Sequence, residues 1–341
     1  MSKLWVTFLF ERFRSENFFS FTAFLEAAKC EDAMMKEPSH RVSIAFFVIT
    51  LVLIIGLKAE AQTKTNTKTL TLGIVFQGPR EPLEAHFRPL VDYAAQKLSS
   101  TAEIKGMVVV APTPGQMMKL LEEKSADFYM ESPYPTYLIN RLGAGKLLLR
   151  RWKGGIGEYR SLIFTSKDSS IARLEDLRGK IIAFEDPGST SGYFLPKLFL
   201  LKKGFSVVEK PSAGAKVSSG EIGYIFADTY KNIASLVLQN KVAAGAFSND
   251  DYASVDDSSK LSISILGESE SVPRHLVSVR KDLSEATAKH LKEILLGMHQ
   301  NEEGQTILRQ TDGTTQFDVL PGGAESVRRK LVELYRPRRR T

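Results

Sequence analysis

The sequence predicts an α/β protein with largely parallel sheets and enough chain for two lobes. From Leu70 onward, short apolar runs rich in β-branched residues alternate with amphipathic stretches, which is the pattern of repeated βαβ units. The chain has 341 residues, and a domain typically holds roughly 100–200, so two lobes with a cleft between them fit its length. A content of 43% hydrophobic and 25% charged residues indicates a globular core and excludes a disordered or polytopic membrane chain.

The predicted elements follow this alternation in order. Strands are predicted where apolar runs are short, and helices where apolar residues recur every three to four positions, as Ile233, Leu236 and Val237 do. The predicted strands are Leu70–Phe76, Met107–Ala111, Asp127–Met130, Leu147–Arg150, Ser161–Ser166, Lys180–Phe184, Gly223–Phe226, Val242–Phe247, Leu261–Leu266 and Leu276–Arg280. The predicted helices are Phe87–Lys97, Gly115–Glu123, Pro135–Leu142, Ser191–Lys202, Thr229–Gln239, Glu285–Met298 and Ala324–Tyr335.

Cysteine, histidine and charge content limit the classes of site. One cysteine, Cys30, can form neither an intramolecular disulfide nor a cysteine-rich zinc site, and the five histidines are scattered. We therefore expect no metal and no cofactor. The net charge of +7 favours anionic partners, but the basic tail at 336–340 is too short and too terminal to indicate nucleic acid, so no nucleic-acid partner is predicted.

The N-terminal part of the chain predicts export. Residues 42–57 form an uncharged apolar run that basic residues precede, and a small-x-small sequence follows at 59–61, which is typical of a cleaved signal peptide. Residues 1–61 are therefore predicted to be removed, with 1–33 a non-functional extension upstream, and the product is expected in the periplasm. The alternative is an uncleaved membrane anchor, although the run is shorter than the roughly 20 residues that span a bilayer.

One segment, Phe184–Pro196, predicts an anion-binding site. A strand leads through a Pro-Gly turn into Ser189, Thr190 and Ser191 at the start of a helix. The first turn of a helix leaves backbone N–H groups unpaired and carries the positive end of the helix dipole, so it can bind a phosphate without a cationic side chain. The alternative is that Ser189 is an ordinary helix N-cap.

The residues Asp186–Pro196, preceded by Leu174–Lys180, resemble the hallmark segment of the periplasmic phosphonate-binding proteins of ABC importers, a group that includes phosphate and phosphite binders. The resemblance extends over residues 70–310. It implies a type II periplasmic-binding-protein fold, α/β with two lobes and a ligand cleft, no enzymatic activity, a small oxyanion ligand, and an ABC permease in the inner membrane as partner. The lobes are predicted at 62–165 (first lobe), 166–270 (second lobe) and 271–341 (return to the first lobe and C-terminal helices).

The resemblance also implies ligand contacts, and several differ from the family pattern. The implied contacts are Ser189, Thr190, Ser191, Glu131, Tyr134, Tyr230 and Asp250. Tyr230 stands in place of a histidine, which keeps a hydrogen-bond donor but loses a switchable charge. Glu131 would repel a dianion unless it is protonated or faces a ligand cation. Asp250 matches an acid that pairs with an aminophosphonate's ammonium, and His275 replaces an aspartate at the crossover.

Each of these residues also has a purely structural interpretation. Glu131 fits a solvated loop, Tyr134 and Tyr230 fit aromatic packing, and Asp250 fits the charge preference of a helix start.

Three alternatives to a transport receptor for phosphorus oxyanions remain open. The first is a membrane-anchored sensory domain of the same fold, and the second is a binder of an organic or sulfur oxyanion. The third is a phosphoester hydrolase that uses Ser189. The sequence contains no Gly-x-Ser-x-Gly elbow, Walker sequence or His-Glu-x-x-His, which weakens this enzymatic interpretation.

Overall fold

The computed structural model describes residues 68–77, 80–99 and 104–335. The predicted signal segment, the extension before it and the basic tail lie outside these residues. Within them, no helix is both long enough and apolar enough to cross a bilayer.

The strands of the described residues follow one another in chain order. They are β1 Lys68–Val75, β2 Ile104–Ala111, β3 Phe128–Glu131, β4 Gly145–Lys153, β5 Glu158–Tyr159, β6 Ser161–Ser166, β7 Ile181–Phe184, β8 Ser206–Glu209, β9 Glu221–Phe226, β10 Ala244–Ser248, β11 Ile263–Glu268, β12 Val272–Pro273, β13 His275–Arg280 and β14 Thr314–Asp318.

The α-helices of the described residues lie between these strands and after them. They are α1 Arg80–Leu98, α2 Pro114–Glu122, α3 Pro133–Asn140, α4 Leu195–Lys202, α5 Tyr230–Leu238, α6 Asn249–Ser254, α7 Asp257–Leu261, α8 Glu285–Gly297, α9 Glu302–Gln310 and α10 Gly323–Tyr335. Many begin where a side chain caps the first turn: Thr113, Thr229, Ser284 and Asn301 each accept a hydrogen bond from the backbone N–H three residues on.

The first lobe is built on a six-stranded sheet in the order β14-β4-β13-β3-β1-β2. Strand β1 runs parallel to β2 and β3, whereas β13 is antiparallel to β3 and β4. Leu72, Leu90, Phe128 and Leu295 form part of its core between the sheet and helices α1 and α8. Because β1 and β3 are parallel, their carboxyl ends lie at the same edge of the sheet.

The second lobe is built on another six-stranded sheet, in the order β11-β6-β10-β7-β9-β8. Strands β10, β7, β9 and β8 are mutually parallel, and β6 is antiparallel to β10 and β11. Phe164, Phe247 and Ile233 pack on one side, whereas Phe184 and Leu200 pack in a second cluster. The parallel strands again bring the ends of β7 and β10 to one edge.

The chain passes between the lobes twice, and both passages run through one short ribbon. The first leads from β4 through β5 to β6, and the second leads from β11 through β12 to β13; β5 and β12 pair antiparallel. The first change of sheet occurs between Lys153 and Ser161, whereas the sequence placed that boundary after residue 165. The difference arises because all of β6 pairs with strands of the second sheet.

The predicted strands and helices are confirmed in the structure, with shifted ends. Helix α1 begins at Arg80 rather than near Phe87, and the predicted helix Ser191–Lys202 divides into a π-helical turn, Thr190–Phe194, followed by α4. The sequence patterns predicted no element at β5, β8, β12, β14, α7 or α9. Each of these elements is two to nine residues long and holds at most two aliphatic or aromatic side chains, which is too few to establish a periodic pattern.

A buried arginine fixes the outer edge of the first sheet. The Arg151 side chain on β4 is only 2% exposed. Its Nε donates to Thr314 Oγ1 at 2.7 Å, and its Nη2 donates to Asp312 Oδ2 at 3.0 Å and to the Asp312 carbonyl oxygen at 2.9 Å. These bonds tie β4 to the loop before β14.

Replacing Arg151 by methionine keeps much of the side-chain volume but leaves these acceptors without their donor. We expect Arg151→Met to lower the free energy of unfolding by about 2–4 kcal/mol, measured by urea denaturation. Lys289→Met, at a position where the charged side chain is largely exposed, is the control and should change it by less than about 0.5 kcal/mol. Equal effects of the two substitutions would contradict this structural role.

Candidate functional site

The candidate site lies where the carboxyl ends of strands from both lobes meet. In the second lobe, β7 leads into Glu185 and the Ser-Thr-Ser segment, and the parallel neighbour β10 leads into Asp250. In the first lobe, β1 ends at Val75 and β3 ends at Glu131. Ligands of open α/β sheets bind outside the carboxyl ends of the strands, so this is the edge at which a ligand is expected.

Ser189 caps the π-helical turn. Its Oγ accepts a hydrogen bond from the N–H of Gly192 at 2.9 Å and donates to Glu185 Oε2 at 2.7 Å. The N–H of Phe194 donates to the Ser189 carbonyl oxygen at 3.0 Å, which closes the wide turn. The hydroxyl of Ser189 therefore has two protein partners.

The next two residues leave backbone donors available. Among the described residues, no protein acceptor receives the backbone N–H of Thr190 or Ser191, and both residues are buried. The neighbouring N–H of Gly188 is taken by Asp186 Oδ1 at 2.7 Å. Because an unpaired buried N–H is costly, these two amides are suited to an anionic acceptor from outside the protein.

The side chain of Thr190 joins the two lobes. Its Oγ1 donates to Ser132 Oγ at 2.9 Å and accepts from the backbone N–H of Tyr134, also at 2.9 Å. Ser132 precedes α3 and Tyr134 lies in its first turn. The Ser-Thr-Ser segment of the second lobe is thus bound directly to the first lobe.

The ring of Tyr134 lies in an aromatic cluster between the lobes. It stacks on Phe194 with ring centroids 4.2 Å apart, and Tyr335 of α10 contacts both rings, at centroid distances of 5.5 Å and 4.5 Å. Tyr137 lies 5.1 Å from Tyr335. The contact of Tyr134 with Thr190 is therefore made by its backbone, whereas its ring packs.

Glu131 is buried at the end of β3, not solvated in a loop. Its Oε1 accepts from the N–H of Val75 at 2.7 Å, and its Oε2 accepts from the N–H of Ser132 at 3.3 Å. Burial raises the pKa of Glu131 to about 8, although these hydrogen bonds and the charge of Arg151 oppose the rise. At neutral pH this carboxyl group is largely protonated, so it does not present the repulsive charge that its sequence position indicated.

Further carboxyl groups surround the Ser-Thr-Ser segment. Burial raises the pKa of Glu185 to about 7, against the hydrogen bond from Ser189. Burial also raises the pKa values of Asp186 and Asp251. Partial protonation of Glu185 at neutral pH therefore reduces the negative charge beside the Ser-Thr-Ser segment.

Asp250 already has a cationic partner. Its Oδ2 accepts from Arg274 Nε at 2.8 Å, and the two side chains are only 17% and 12% exposed. The other oxygen, Oδ1, is buried and has no partner among the described residues. The Arg274 guanidinium carbon lies 4.4 Å from the ring centroid of Tyr159 in the ribbon between the lobes.

Arg274 was not among the site residues predicted from the sequence. The signal available was its place beside His275, where the chain departs from the family pattern. His275 itself is half-buried, and its Nδ1 atom is buried with no partner among the described residues. Burial and the charges of Arg274 and Arg151 hold its pKa well below the usual range, so it is neutral.

Tyr230 takes no part in these hydrogen bonds. It occupies the first position of α5 and packs, half-buried, against the core of the second lobe. No hydrogen bond of the described residues joins it to the Ser-Thr-Ser segment.

A pocket of about 490 Å³ opens elsewhere on the second lobe. Lys180, Lys241 and Gly214 are among its lining residues, at the amino ends of β7 and β10. This is the opposite edge of the sheet from the Ser-Thr-Ser segment, so the pocket is not part of the candidate site.

Comparison with known proteins gave a family and a set of related structures. Residues 72–320 match the family described as "ABC transporter, phosphonate, periplasmic substrate-binding protein". Two structures of XAC2383 from Xanthomonas citri are similar: one, bound to ATP, has 28% identity and a TM-score of 0.69, covering 79% of this chain and 96% of the other. The second, bound to chloride ion, has 29% identity and a TM-score of 0.71, with coverage of 78% and 95%.

PhnD1 from Prochlorococcus marinus (MIT 9301), in complex with methylphosphonate, shares the fold at 16% identity. Its TM-score is 0.56, and the match covers 79% of this chain and 98% of that one. No curated protein matches the chain significantly.

The π-helical turn requires glycine at position 192. A Cβ atom there would lie 2.5 Å from the Cβ of Glu185. We expect Gly192→Ala to lower the free energy of unfolding by about 1–3 kcal/mol, because the turn must move away from Glu185. Gly214→Ala, where a Cβ meets no atom within 4 Å, is the matched control in urea denaturation. If both variants lost the same small amount of unfolding free energy, the close contact between Gly192 and Glu185 would not require glycine.

The raised carboxyl pKa values predict a pH dependence of stability. With native pKa values of about 7 for Glu185 and about 8 for Glu131, the native state holds protons that the unfolded chain releases from about pH 4.3 upward. The two protonated carboxyl groups therefore stabilise the native state fully at low pH, and this stabilisation is lost as the pH rises to about 8. Thermal unfolding from pH 5 to 9 should show a midpoint that falls less steeply in Glu185→Gln than in the unsubstituted protein. Glu175→Gln, at an exposed position, is the control and should leave the slope of unfolding midpoint against pH unchanged. If Glu185→Gln also left this slope unchanged, the raised pKa of Glu185 would be contradicted.

Proposed function

Because this chain belongs to the periplasmic substrate-binding proteins of phosphonate ABC transporters, we propose that it captures a small phosphorus oxyanion and delivers it to an ABC permease. The ligand class is phosphate, phosphite or an alkylphosphonate. The observation that carries this proposal is the pair of unpaired, buried amides of Thr190 and Ser191 at the meeting point of the two lobes. Backbone amides bind phosphoryl oxygens without a counter-charge.

The chemistry required is binding alone. Phosphoryl oxygens would accept from the amides of Thr190 and Ser191 and from the Ser191 hydroxyl. Ser189 would position the turn through its bonds to Glu185 and Gly192, and Asp250 would act through its charge partner. Members of this family are transport components, which supports a binding role over hydrolysis at Ser189.

Closure of the lobes would couple binding to delivery. Thr190 already bonds to Ser132 and Tyr134 across the cleft, so a ligand held beside it reinforces contacts between the lobes. A ligand that favours the closed arrangement shifts the population toward it by its difference in affinity for the two states. We infer that the permease recognises this closed form.

A nucleoside phosphate is a second candidate ligand. The supporting observation is that XAC2383, at 28% identity, is bound to ATP. The phosphoryl oxygens of a nucleoside phosphate would accept from the same amides of Thr190 and Ser191. Its nucleoside part would need space that an alkylphosphonate does not need.

We propose that the protein acts in the periplasm after residues 1–61 are cleaved. An intact segment 42–57 in the secreted protein would favour the alternative of an anchored sensory domain.

Calorimetric titration of phosphate, phosphite, methylphosphonate, ATP, sulfate and nitrate tests the ligand class. We expect a phosphorus compound to bind, and Ser191→Ala to weaken it at least about tenfold, since a hydrogen bond to a charged group contributes about 1.5–3 kcal/mol. Ser212→Ala, at an exposed loop position in the second lobe, should bind as the unsubstituted protein does. Binding of sulfate or nitrate without any phosphorus compound would overturn the proposal.

A further inference from the structure

Arg274 lies at the second passage between the lobes, directly after β12. Its N–H donates to the carbonyl oxygen of Gly157 at 2.8 Å, which fixes its backbone against the other passage. Its side chain is only 12% exposed, and its guanidinium carbon lies over the ring of Tyr159, 4.4 Å from the centroid. A guanidinium this deeply placed is held in position by packing as well as by charge.

The protein uses only part of the hydrogen-bonding capacity of Arg274. Nε donates to Asp250 Oδ2 at 2.8 Å. In the described part of the chain, neither terminal nitrogen donates to a protein acceptor. Arginine usually pairs with a carboxylate through two parallel bonds, yet Asp250 Oδ1 is left without a partner here. Neither terminal nitrogen is among the buried atoms without a partner, so both reach solvent, where a ligand or water can accept their hydrogen bonds.

The position of these donors relates them to the candidate anion site. Asp250, the carboxylate that pairs with Arg274, follows the carboxyl end of β10, and β10 runs parallel to β7, whose carboxyl end leads into the Ser-Thr-Ser segment. The charge of Arg274 also reaches Glu185, the acceptor of the Ser189 hydroxyl. The guanidinium and the unpaired amides of Thr190 and Ser191 therefore lie at the same edge of the second sheet.

We propose that Arg274 is a ligand-binding residue that donates to the phosphoryl group held by the amides of Thr190 and Ser191, so that the site selects phosphonates without an ammonium group. The proposal rests on the function proposed above. Because Asp250 is neutralised by Arg274, it cannot stabilise a ligand ammonium as a free carboxylate would, and an ammonium placed there meets a like charge. Asp250 Oδ1 remains available to a neutral donor, such as a hydroxyl group or water.

Calorimetry with methylphosphonate and 2-aminoethylphosphonate tests this selectivity. We expect the unsubstituted protein to bind methylphosphonate at least about tenfold more tightly than 2-aminoethylphosphonate. Arg274→Gln should weaken methylphosphonate at least about tenfold and shift the preference toward 2-aminoethylphosphonate, because it removes the cation and frees Asp250. Arg274→Lys, which keeps the charge, should retain the order of preference.

Arg160→Gln is the matched control, because Arg160 lies beside the same ribbon but pairs with Glu268 at an exposed position. It should change neither affinity by more than about twofold. Circular dichroism and urea denaturation establish that the Arg274 variants are folded.

The possible outcomes separate this inference from the proposed function. If the unsubstituted protein binds none of the phosphorus compounds, the proposed function fails and the inference with it. If it binds methylphosphonate but folded Arg274→Gln binds equally well, or if it prefers 2-aminoethylphosphonate, the role of Arg274 alone is overturned.

Discussion

The antiparallel ribbon of Glu158–Tyr159 with Val272–Pro273 is the constraint on which the candidate site depends. Both passages of the chain between the lobes run through it, so the two sheets cannot be positioned independently. It holds the carboxyl edges of the two sheets toward each other, which allows Thr190 to reach Ser132. The same ribbon carries Tyr159 and leads into Arg274, so the connection between the lobes also supplies the base of the site.

An anion site beside several carboxyl groups needs an electrostatic explanation. Burial raises the pKa of Glu131 to about 8 and that of Glu185 to about 7, so at neutral pH Glu131 is largely protonated and Glu185 is partly protonated, which weakens their repulsion of an anion. Asp250 is instead paired with Arg274. Desolvation and pairing thus reduce the negative charge of these carboxyl groups by different means. The hydrogen-bond donors that remain for a ligand are the backbone amides of Thr190 and Ser191, the Ser191 hydroxyl and the terminal nitrogens of Arg274.

Much of the architecture could be predicted because local residue patterns indicate the type of each element. The apolar runs of β1 and β7 and the apolar stripe of α5 gave their elements the right type, and the Ser-Thr-Ser segment fell at the start of a helical region. Strands β8 and β14 were missed because their stability comes from pairing with β9 and β4, which a local pattern does not record. Tertiary contacts also decide where the chain first passes from one sheet to the other, because that point depends on which strands β6 pairs with.

By itself, the sequence determined the α/β alternation, the family and the segment that supplies the amides of Thr190 and Ser191. The tertiary structure decided what those residues meet. It buried Glu131 against the end of β1, paired Asp250 with Arg274 and brought Ser132 to Thr190, residues 58 apart in the chain. The reason is physical: hydrogen-bond capacity belongs to a residue type and can be read locally, whereas desolvation and charge pairing depend on neighbours that only the folded chain brings together.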